Sequence, residues 1–362
     1  MDTTIAPGDD FFRYANGQWL DKTKIPGDKT RWGSFDELIQ KTNEHVKGLL
    51  EDAISSKEKA GSVKGNVGAF YKSGMDTVAI ENAGINPLKP YLDEINALTA
   101  NDQLVKHLAG HFSKGIHSVF TGYIFADEKD VVNNIFQFSQ AGLGLPTKDY
   151  YFKTDTISIK NREGYIDYLI TLFTLNGATA ADAKQKANAV FQLEKKLASA
   201  SLSPVEMRDP NKLYNKYSPA QLTALTGIDW NTFITGLGAT KGYDSLIIAT
   251  PQYYKTLGGL LKSENIQTWK DYLTVHLISD MAPYLSSAFS DARFKFYGQT
   301  LSGQELQKPR WERVTGVINN AIGDQLGKLY VDAYFKAEAK ERMVELVNNL
   351  QSAFHERITL LD

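Results

Sequence analysis

Apolar residues recur at spacings of three and four along most of this chain, which is the pattern of amphipathic helices. The first such segment begins at Ser34, and Ser34 with Glu37 forms a capping box that predicts the start of a helix. Asn101 is predicted to cap another helix, which continues through Phe112. Further helices are predicted at 165–175, 183–197, 269–289, 314–335 and 337–361.

One stretch has a different periodicity. Residues 118–126 and 131–140 alternate β-branched or aromatic residues with polar ones, on either side of the polar turn 127–130. This alternation predicts a β-hairpin. Residues 236–243 and 255–259 have a looser pattern, and no regular element is predicted there. The pattern as a whole predicts a mainly α fold with many helices and a small β-hairpin.

The last predicted helix has a broad apolar stripe that runs to the final residues. A buried face that continues to the end of a chain is expected where the chain is part of a larger fold. No apolar run approaches the roughly 20 residues that a membrane-spanning helix needs. The first residues lack the cationic and apolar regions of a signal peptide, so none is predicted in this chain.

Charge and cysteine content remove several classes of function. The 362 residues include 40 basic and 42 acidic side chains, so the net charge of −2 offers no basic surplus for binding nucleic acid. The chain has no cysteine, which excludes disulfides, thiolate catalysis and cysteine-ligated metals.

Histidine spacing gives no complete metal site. His107 and His111 are one helical turn apart, but no glutamate lies between them and no third ligand is signalled nearby. An ordinary helix is the favoured interpretation, with an unrelated metal enzyme as the alternative. His355 and Glu356 begin like the zinc motif H-E-x-x-H, yet Thr359 stands where the second histidine is required. No metal ligand is therefore predicted.

Other catalytic patterns are also incomplete. The glycine clusters at 142–144 and 236–238 lack the strand, helix and acid of a dinucleotide-binding unit, and we interpret both as turns. Carboxylates such as Glu194 and Asp209 are present, but nothing in the sequence pairs them as acid and base. We predict no catalytic residue.

Residues 7–38 carry the most specific motifs: P-G-D-D-F-F-R-Y-A-N-G-Q-W-L, then I-P, then R-W-G-S-F-D-E-L. These motifs resemble the start of the neprilysin and endothelin-converting-enzyme family of zinc metalloendopeptidases, which includes bacterial PepO-like enzymes. The resemblance continues in order through most of the chain. Its later motifs are G-L-G-L-P with D-Y-Y at 142–151, E-x-x-L-A at 194–198, R-D-P at 208–210, F-Y-G at 296–298 and R-W at 310–311.

The resemblance implies that this chain is the N-terminal half of such an enzyme. Residues 1–33 would then pack on a thermolysin-like catalytic domain, 34–290 would form a helical cap domain, and 291–362 would be helices leading into the catalytic domain. The family's zinc-binding helices lie beyond a position like Asp362. The chain alone is therefore predicted to bind no zinc and to be inactive, whereas zinc is expected in the complete enzyme.

The resemblance also implies a substrate contact at Arg31 and Asp36. In the family, an arginine at this motif position binds the C-terminal carboxylate of peptides beside the aspartate. Spacing alone favours a surface arginine paired with Glu37 instead. A second family arginine falls on Ile39, which puts a dipeptidase-like preference in doubt. The implied partners are short peptides and the C-terminal catalytic domain of the same polypeptide, and the implied location is extracytoplasmic.

The sequence also leaves a second interpretation of the chain's function open. A stand-alone paralogue that binds peptides or a partner chain, without catalysis, is the second interpretation. A reading frame that continues into H-E-x-x-H would exclude it, and a natural stop would favour it.

The aromatic residues Phe11, Phe12, Tyr14 and Trp19 are predicted to anchor an N-terminal strand or turn against the body of the protein.

Overall fold

The computed structural model of the chain describes residues 1–59 and 61–361. The chain divides into two compact units, one made of Met1–Ala79 with Gly303–Asp362 and the other of Ile80–Ser302. The predicted mainly α fold with a small β-hairpin is confirmed, because 66% of the described residues are helical and the sheet is small. The predicted division into a cap domain and catalytic-domain segments stays a prediction.

The first unit is built from long helices around a small apolar core. Its core residues are Val46, Leu50, Ala53, Val67, Tyr71, Val314, Ile318 and Leu326. Gly68 allows two of these helices to pack closely, because a Cβ atom there would lie 2.5 Å from the carbonyl oxygen of Ala53. The helices are α1 (Phe11–Lys22), α2 (Ser34–Ser55), α3 (Val63–Met75), α16 (Arg310–Tyr334) and α17 (Ala337–Ile358). Another helix, α4 (Thr77–Ala83), contains the boundary between the units.

The second unit contains the larger core and the sheet. Its α-helices are α5 (Lys89–Asn96), α6 (Leu104–Ser113), α7 (Asp149–Phe152), α8 (Thr156–Leu175), α9 (Ala180–Ala200), α10 (Pro210–Leu213), α11 (Pro219–Thr226), α12 (Trp230–Gly236), α13 (Pro251–Ser263), α14 (Ile266–Met281) and α15 (Ser287–Arg293). Short 3₁₀ turns occur at Asn86–Leu88, Asn101–Gln103, Glu206–Arg208 and Ala282–Tyr284, and a π-helix at Phe294–Leu301.

The sheet has four strands in the order β1, β2, β4, β3. The predicted hairpin is confirmed, because β1 (Thr121–Asp127) and β2 (Asp130–Ser139) pair antiparallel. The other strands, β3 (Lys216–Tyr217) and β4 (Leu246–Ile248), were not predicted. They contain two and three residues, too few to show a period along the chain.

Several local predictions were wrong. Ser34 is the first residue of α2 rather than its cap, and Gly33 occupies the cap position without a side-chain hydrogen bond. Asn101 caps no helix, since its amide donates to the carbonyl oxygens of Lys262 and Glu264. Residues 255–259 lie inside α13. The helix predicted at 269–289 ends at Met281, because proline at position 283 cannot continue it.

The N-terminal aromatics also differ from the prediction. They lie on a helix, α1, whose first turn is capped by the side chain of Asp10. Phe11 and Phe12 are 69% and 64% exposed, so they are not anchored against the described residues. The sequence contained the capping signal, because aspartate is among the preferred cap residues.

Candidate peptide-carboxylate site

Arg31 and Asp36 lie where an extended segment enters α2. Residues 31–33 have no regular structure, and Gly33 is extended with φ −170° and ψ −177°. Asp36 lies in the first turn of α2, where the unpaired amides of the helix favour an acidic side chain. The step from extended backbone at Gly33 into the helix places Nε of Arg31 3.8 Å from Oδ1 of Asp36.

The two side chains differ in exposure. The side chain of Arg31 is 85% exposed, whereas that of Asp36 is 22% exposed. Among the described residues, the Arg31 guanidinium forms no hydrogen bond, so its donors face solvent. An exposed ion pair of this kind contributes about 0–1 kcal/mol to stability. The expected pairing with Glu37 is not found, because the ion pair is made with Asp36.

Asp36 also borders a cavity of about 330 Å³ within the first unit. Cavities of roughly 300–1,000 Å³ are the usual size of small-ligand sites. Other residues lining it are Asp28, Lys29, Ile39, Trp311 and Glu312. The cavity is therefore large enough for a small ligand.

Lys29 lines this cavity and forms ion pairs with two carboxylates of the lining. Its Nζ lies 3.0 Å from Oε1 of Glu312 and 3.2 Å from Oδ2 of Asp28. Burial lowers the pKa of Lys29, but the hydrogen bonds to Glu312 and Asp28 outweigh it, so the pKa is raised above its ordinary value. Lys29 therefore stays charged and paired. Lys308, the other lysine of the lining, also pairs with Glu312, at 3.2 Å, and its side chain is 46% exposed.

Ile39, where the resemblance implied a second arginine, also lines this cavity and is 54% exposed. An apolar side chain there supplies no charge for a carboxylate. The site thus has a single guanidinium with a carboxylate beside it. A guanidinium can hold a carboxylate through two parallel hydrogen bonds, and Asp36 can orient it. A guanidinium with free donors beside a carboxylate supports binding of an anion.

A second polar centre, around Glu194, was missed by the sequence analysis. Glu194 is 0% exposed, and its carboxyl oxygens accept from the hydroxyl groups of Tyr151 and Tyr165, both at 2.6 Å. Nε2 of His276 lies 2.7 Å from Oε1 of Glu194. No local pattern predicts this pairing, because His276 is 82 positions away from Glu194 along the chain.

Tyrosine hydroxyl groups extend this centre to the loop at 141–145. Tyr253, Tyr272 and Tyr297 donate to the carbonyl oxygens of residues 141, 142 and 144 at 2.8–2.9 Å. Burial, followed by the nearby charge of Glu194, raises the pKa of Tyr151 and Tyr165 well above the ordinary value. At Gly144 an added Cβ would lie 1.8 Å from the Tyr165 hydroxyl, so this position requires glycine. The Glu194 centre fixes the loop and is closed to a substrate.

The histidines considered as metal ligands do not form a metal site. The rings of His107 and His111 lie 4.0 Å apart, and Nε2 of His111 is 3.1 Å from a carboxylate oxygen of Glu94. Burial lowers the pKa of His107 to about 4. Within residues 1–59 and 61–361, no group of three or more His, Asp or Glu side chains is placed to hold a metal ion. These residues therefore do not fit the zinc of the implied family.

Asp209, the other carboxylate singled out in the sequence, has a local structural role. Its side chain caps α10 by accepting from the amide of Asn211.

None of the helices in the described ranges has both the length and the apolar character needed to cross a membrane.

Comparison with known families agrees with this fold. The profile described as Peptidase family M13 matches residues 7–362. The chain therefore belongs to peptidase family M13, the neprilysin-like metallopeptidases, and corresponds to their N-terminal half.

Individual relatives give the same assignment. Endothelin-converting enzyme 1 of Bos taurus is 26% identical over 374 residues, which cover 100% of this chain and 49% of that protein. The endothelin-converting enzyme homolog of Locusta migratoria is 27% identical over 379 residues and covers 98% and 51%. The chain thus spans about half the length of these relatives.

Two solved structures share the fold. Zinc metalloprotease Zmp1 of Mycobacterium tuberculosis, in complex with an inhibitor, superposes with a TM-score of 0.91 at 33% identity, covering 100% of this chain and 55% of that one. PepO of Lactobacillus rhamnosis HN001 superposes with a TM-score of 0.84 at 20% identity, covering 97% and 55%. The likeness to PepO shows the fold alone.

Proposed function

We propose that this chain is the non-catalytic, N-terminal part of a zinc endopeptidase that hydrolyses short peptides. In this proposal it encloses the active-site cavity, and Arg31 with Asp36 binds the free C-terminal carboxylate of the peptide. The observation that carries it is the 85% exposed guanidinium of Arg31, held beside Asp36 at the edge of a cavity of about 330 Å³. An unused fork of donors suits a carboxylate.

The proposed partner is the C-terminal catalytic domain of the same polypeptide. Support comes from α17, none of whose residues is buried among the described part of the chain. Its apolar side chains include Met343, Leu346, Leu350 and Phe354, which are 50–64% exposed. A helix with an apolar stripe normally buries it against another element. Zinc would be bound by the partner domain, and an extracytoplasmic location is proposed by analogy with the family.

The carboxylate role can be tested in the complete enzyme, which contains both halves. Arg31→Ala is expected to weaken binding of peptides with a free C-terminus by about 1.5–3 kcal/mol, the scale of a charge-assisted hydrogen bond. Amidated peptides should lose little, because they carry no terminal charge. Michaelis constants and inhibition constants for matched free and amidated peptides measure the difference.

Arg13→Ala provides a matched control. Arg13 is another surface arginine of the first unit, and it already pairs with Asp21 at 2.7 Å. This variant should bind both classes of peptide normally. Equal losses for free and amidated peptides with Arg31→Ala would exclude the carboxylate role.

A further inference from the structure

The cavity beside Asp36 is lined by one side of α2. The α2 residues that border it have the spacings of three and four that place side chains on one side of a helix, and they are Asp36, Ile39, Gln40, Asn43 and Glu44. Another part of the lining is the start of α16 with the residues before it, at 308–312. All lining residues belong to the first unit, so the cavity is a feature of one compact body.

Part of the lining is apolar. Ile39 is 54% exposed, and Pro309 and Trp311 also border the cavity. The ring of Trp311 already lies near a cation, because Nζ of Lys47 is 5.2 Å from its centroid, and Lys47 is itself paired with Glu51. Apolar walls of this kind suit the methylene stem of a long side chain, whose charged end then lies near polar groups.

The charged part of the lining is acidic in sum. Its four carboxylates and two lysines are Asp28, Asp36, Glu44, Glu312, Lys29 and Lys308. Both lysines form ion pairs with Glu312, at 3.0 and 3.2 Å. An excess of negative charge attracts cations and disfavours anionic groups. The lining therefore favours a cationic side chain of a ligand over an anionic one.

Glu44 is the unpaired carboxylate of this lining. Within residues 1–59 and 61–361 its side chain forms no ion pair and no hydrogen bond. Each of the other three carboxylates is paired with Lys29 or Arg31. Glu44 is also exposed, so its charge is available to a ligand.

The separation of Asp36 and Glu44 fits one long side chain. Both lie on α2, and their positions in the sequence correspond to about 12 Å along the helix axis. Helical side chains lean toward the N-terminus, which brings the Glu44 carboxylate closer to Asp36. A ligand whose carboxylate lies at Arg31, beside Asp36, would then need roughly 6–8 Å to reach Glu44, about the length of an extended lysine or arginine side chain.

We propose that this cavity selects peptides whose C-terminal residue is lysine or arginine. Arg31 binds the terminal carboxylate, and Glu44 binds the cationic end of the side chain of the same residue. The proposal rests on the carboxylate role of Arg31 proposed above and adds the substrate class. Ile39 permits this selection, because an arginine at that position would place a second cation between Asp36 and Glu44 on the same side of α2.

A matched set of short peptides tests the proposal as competitive inhibitors of the complete enzyme. The peptides share one sequence and end in arginine, leucine or glutamate, each as the free acid and as the amide. The free arginine peptide should bind about 3- to 5-fold more tightly than the free leucine peptide, the effect of one exposed ion pair. The free glutamate peptide should bind least tightly, because its side chain adds a negative charge to an acidic lining.

The same inhibition constants separate this proposal from the carboxylate role. Equal constants for the arginine and leucine peptides, with free acids still preferred over amides, would overturn the selection of basic residues and leave the carboxylate role of Arg31 intact. Equal constants for acids and amides would overturn the carboxylate role and this proposal with it.

Variants of α2 test the residues named. Glu44→Gln should reduce the preference for arginine over leucine to below about twofold and leave binding of the free leucine peptide unchanged. The matched control is Glu37→Gln, because Glu37 is another exposed glutamate of α2 that does not line the cavity, and this variant should keep the full preference. Ile39→Arg should reverse the order, so that the glutamate peptide binds more tightly than the arginine peptide. A preference that survives Glu44→Gln, or that Glu37→Gln removes equally, would overturn the assignment of Glu44.

Discussion

Glu194 and Asp36 are both carboxylates with a nitrogen donor close by, but their surroundings differ. Glu194 is 0% exposed and accepts from two tyrosines at 2.6 Å, with His276 at 2.7 Å. Asp36 is 22% exposed, and its arginine lies 3.8 Å away with 85% of its side chain in solvent. Burying a polar group without partners is costly, so both carboxyl oxygens of Glu194 accept hydrogen bonds. The exposed Arg31–Asp36 pair keeps donors that a ligand can occupy.

A buried structural centre and an exposed candidate binding site are expected to respond differently to substitution. A buried polar group that loses one partner leaves the others unsatisfied in a medium of low dielectric constant. An exposed pair loses little, because water replaces the missing partner. We therefore expect changes at Glu194 to alter stability and changes at Arg31 or Asp36 to alter binding.

The largest expected effect is that of Glu194→Leu. It removes the acceptor of Tyr151 and Tyr165 and the partner of His276, so the free energy of unfolding should fall by about 3–5 kcal/mol. Urea unfolding followed by circular dichroism measures this. Glu163→Leu on α8 replaces an exposed glutamate and should change stability by less than about 0.5 kcal/mol. Similar losses in the two variants would mean that the Glu194 centre is not structural.

Alkaline pH should destabilise the same centre. The pKa values of Tyr151 and Tyr165 are raised above the ordinary value of 10.0, so the folded state retains protons that the unfolded chain releases. Stability is therefore fully present below pH 10 and is lost as the pH rises above it, by about 1.4 kcal/mol per pH unit for each such tyrosine. Tyr151→Phe removes one of these tyrosines, so the free energy of unfolding should fall less steeply with pH, by about 1.4 kcal/mol per pH unit. An unchanged slope in unfolding experiments between about pH 10 and 11 would contradict the assignment.

A smaller effect is expected from Arg31→Lys in the complete enzyme. Lysine keeps the charge but cannot form the parallel pair of hydrogen bonds, so binding of free-acid peptides should weaken by about 0.5–1.5 kcal/mol. Competition assays with free and amidated peptides measure it. A loss as large as that of Arg31→Ala would show that geometry dominates, whereas no loss would show that charge alone suffices and exclude a bidentate contact.

The smallest effect is predicted for Asp36→Asn on stability. The ion pair that it breaks is long and solvated, so the free energy of unfolding should change by less than about 0.5 kcal/mol. Binding of free-acid peptides should nevertheless change, because the guanidinium loses its orienting carboxylate. Thermal unfolding and peptide binding of the same variant test both expectations. A stability loss above 1–2 kcal/mol would place Asp36 with Glu194 as a structural residue.

Periodicity predicted much of the fold because helices and hairpins are local. The α2 and α17 segments and the hairpin follow from spacing within a few turns or one tight turn. Boundaries were less accurate where tertiary contacts compete. Asn101 resembled a cap by residue type, yet its amide binds carbonyl oxygens more than 160 positions away.

The sequence by itself determined the family, the helical class and the positions of Arg31 and Asp36, because ordered motifs and periodic apolar residues are properties of neighbours along the chain. Only the tertiary structure joined Glu194 to His276 and showed the exposure of Arg31. It also placed β1 at a sheet edge beside a strand paired with β4. Burial and hydrogen-bond satisfaction depend on which distant segments meet, and no local pattern records those encounters.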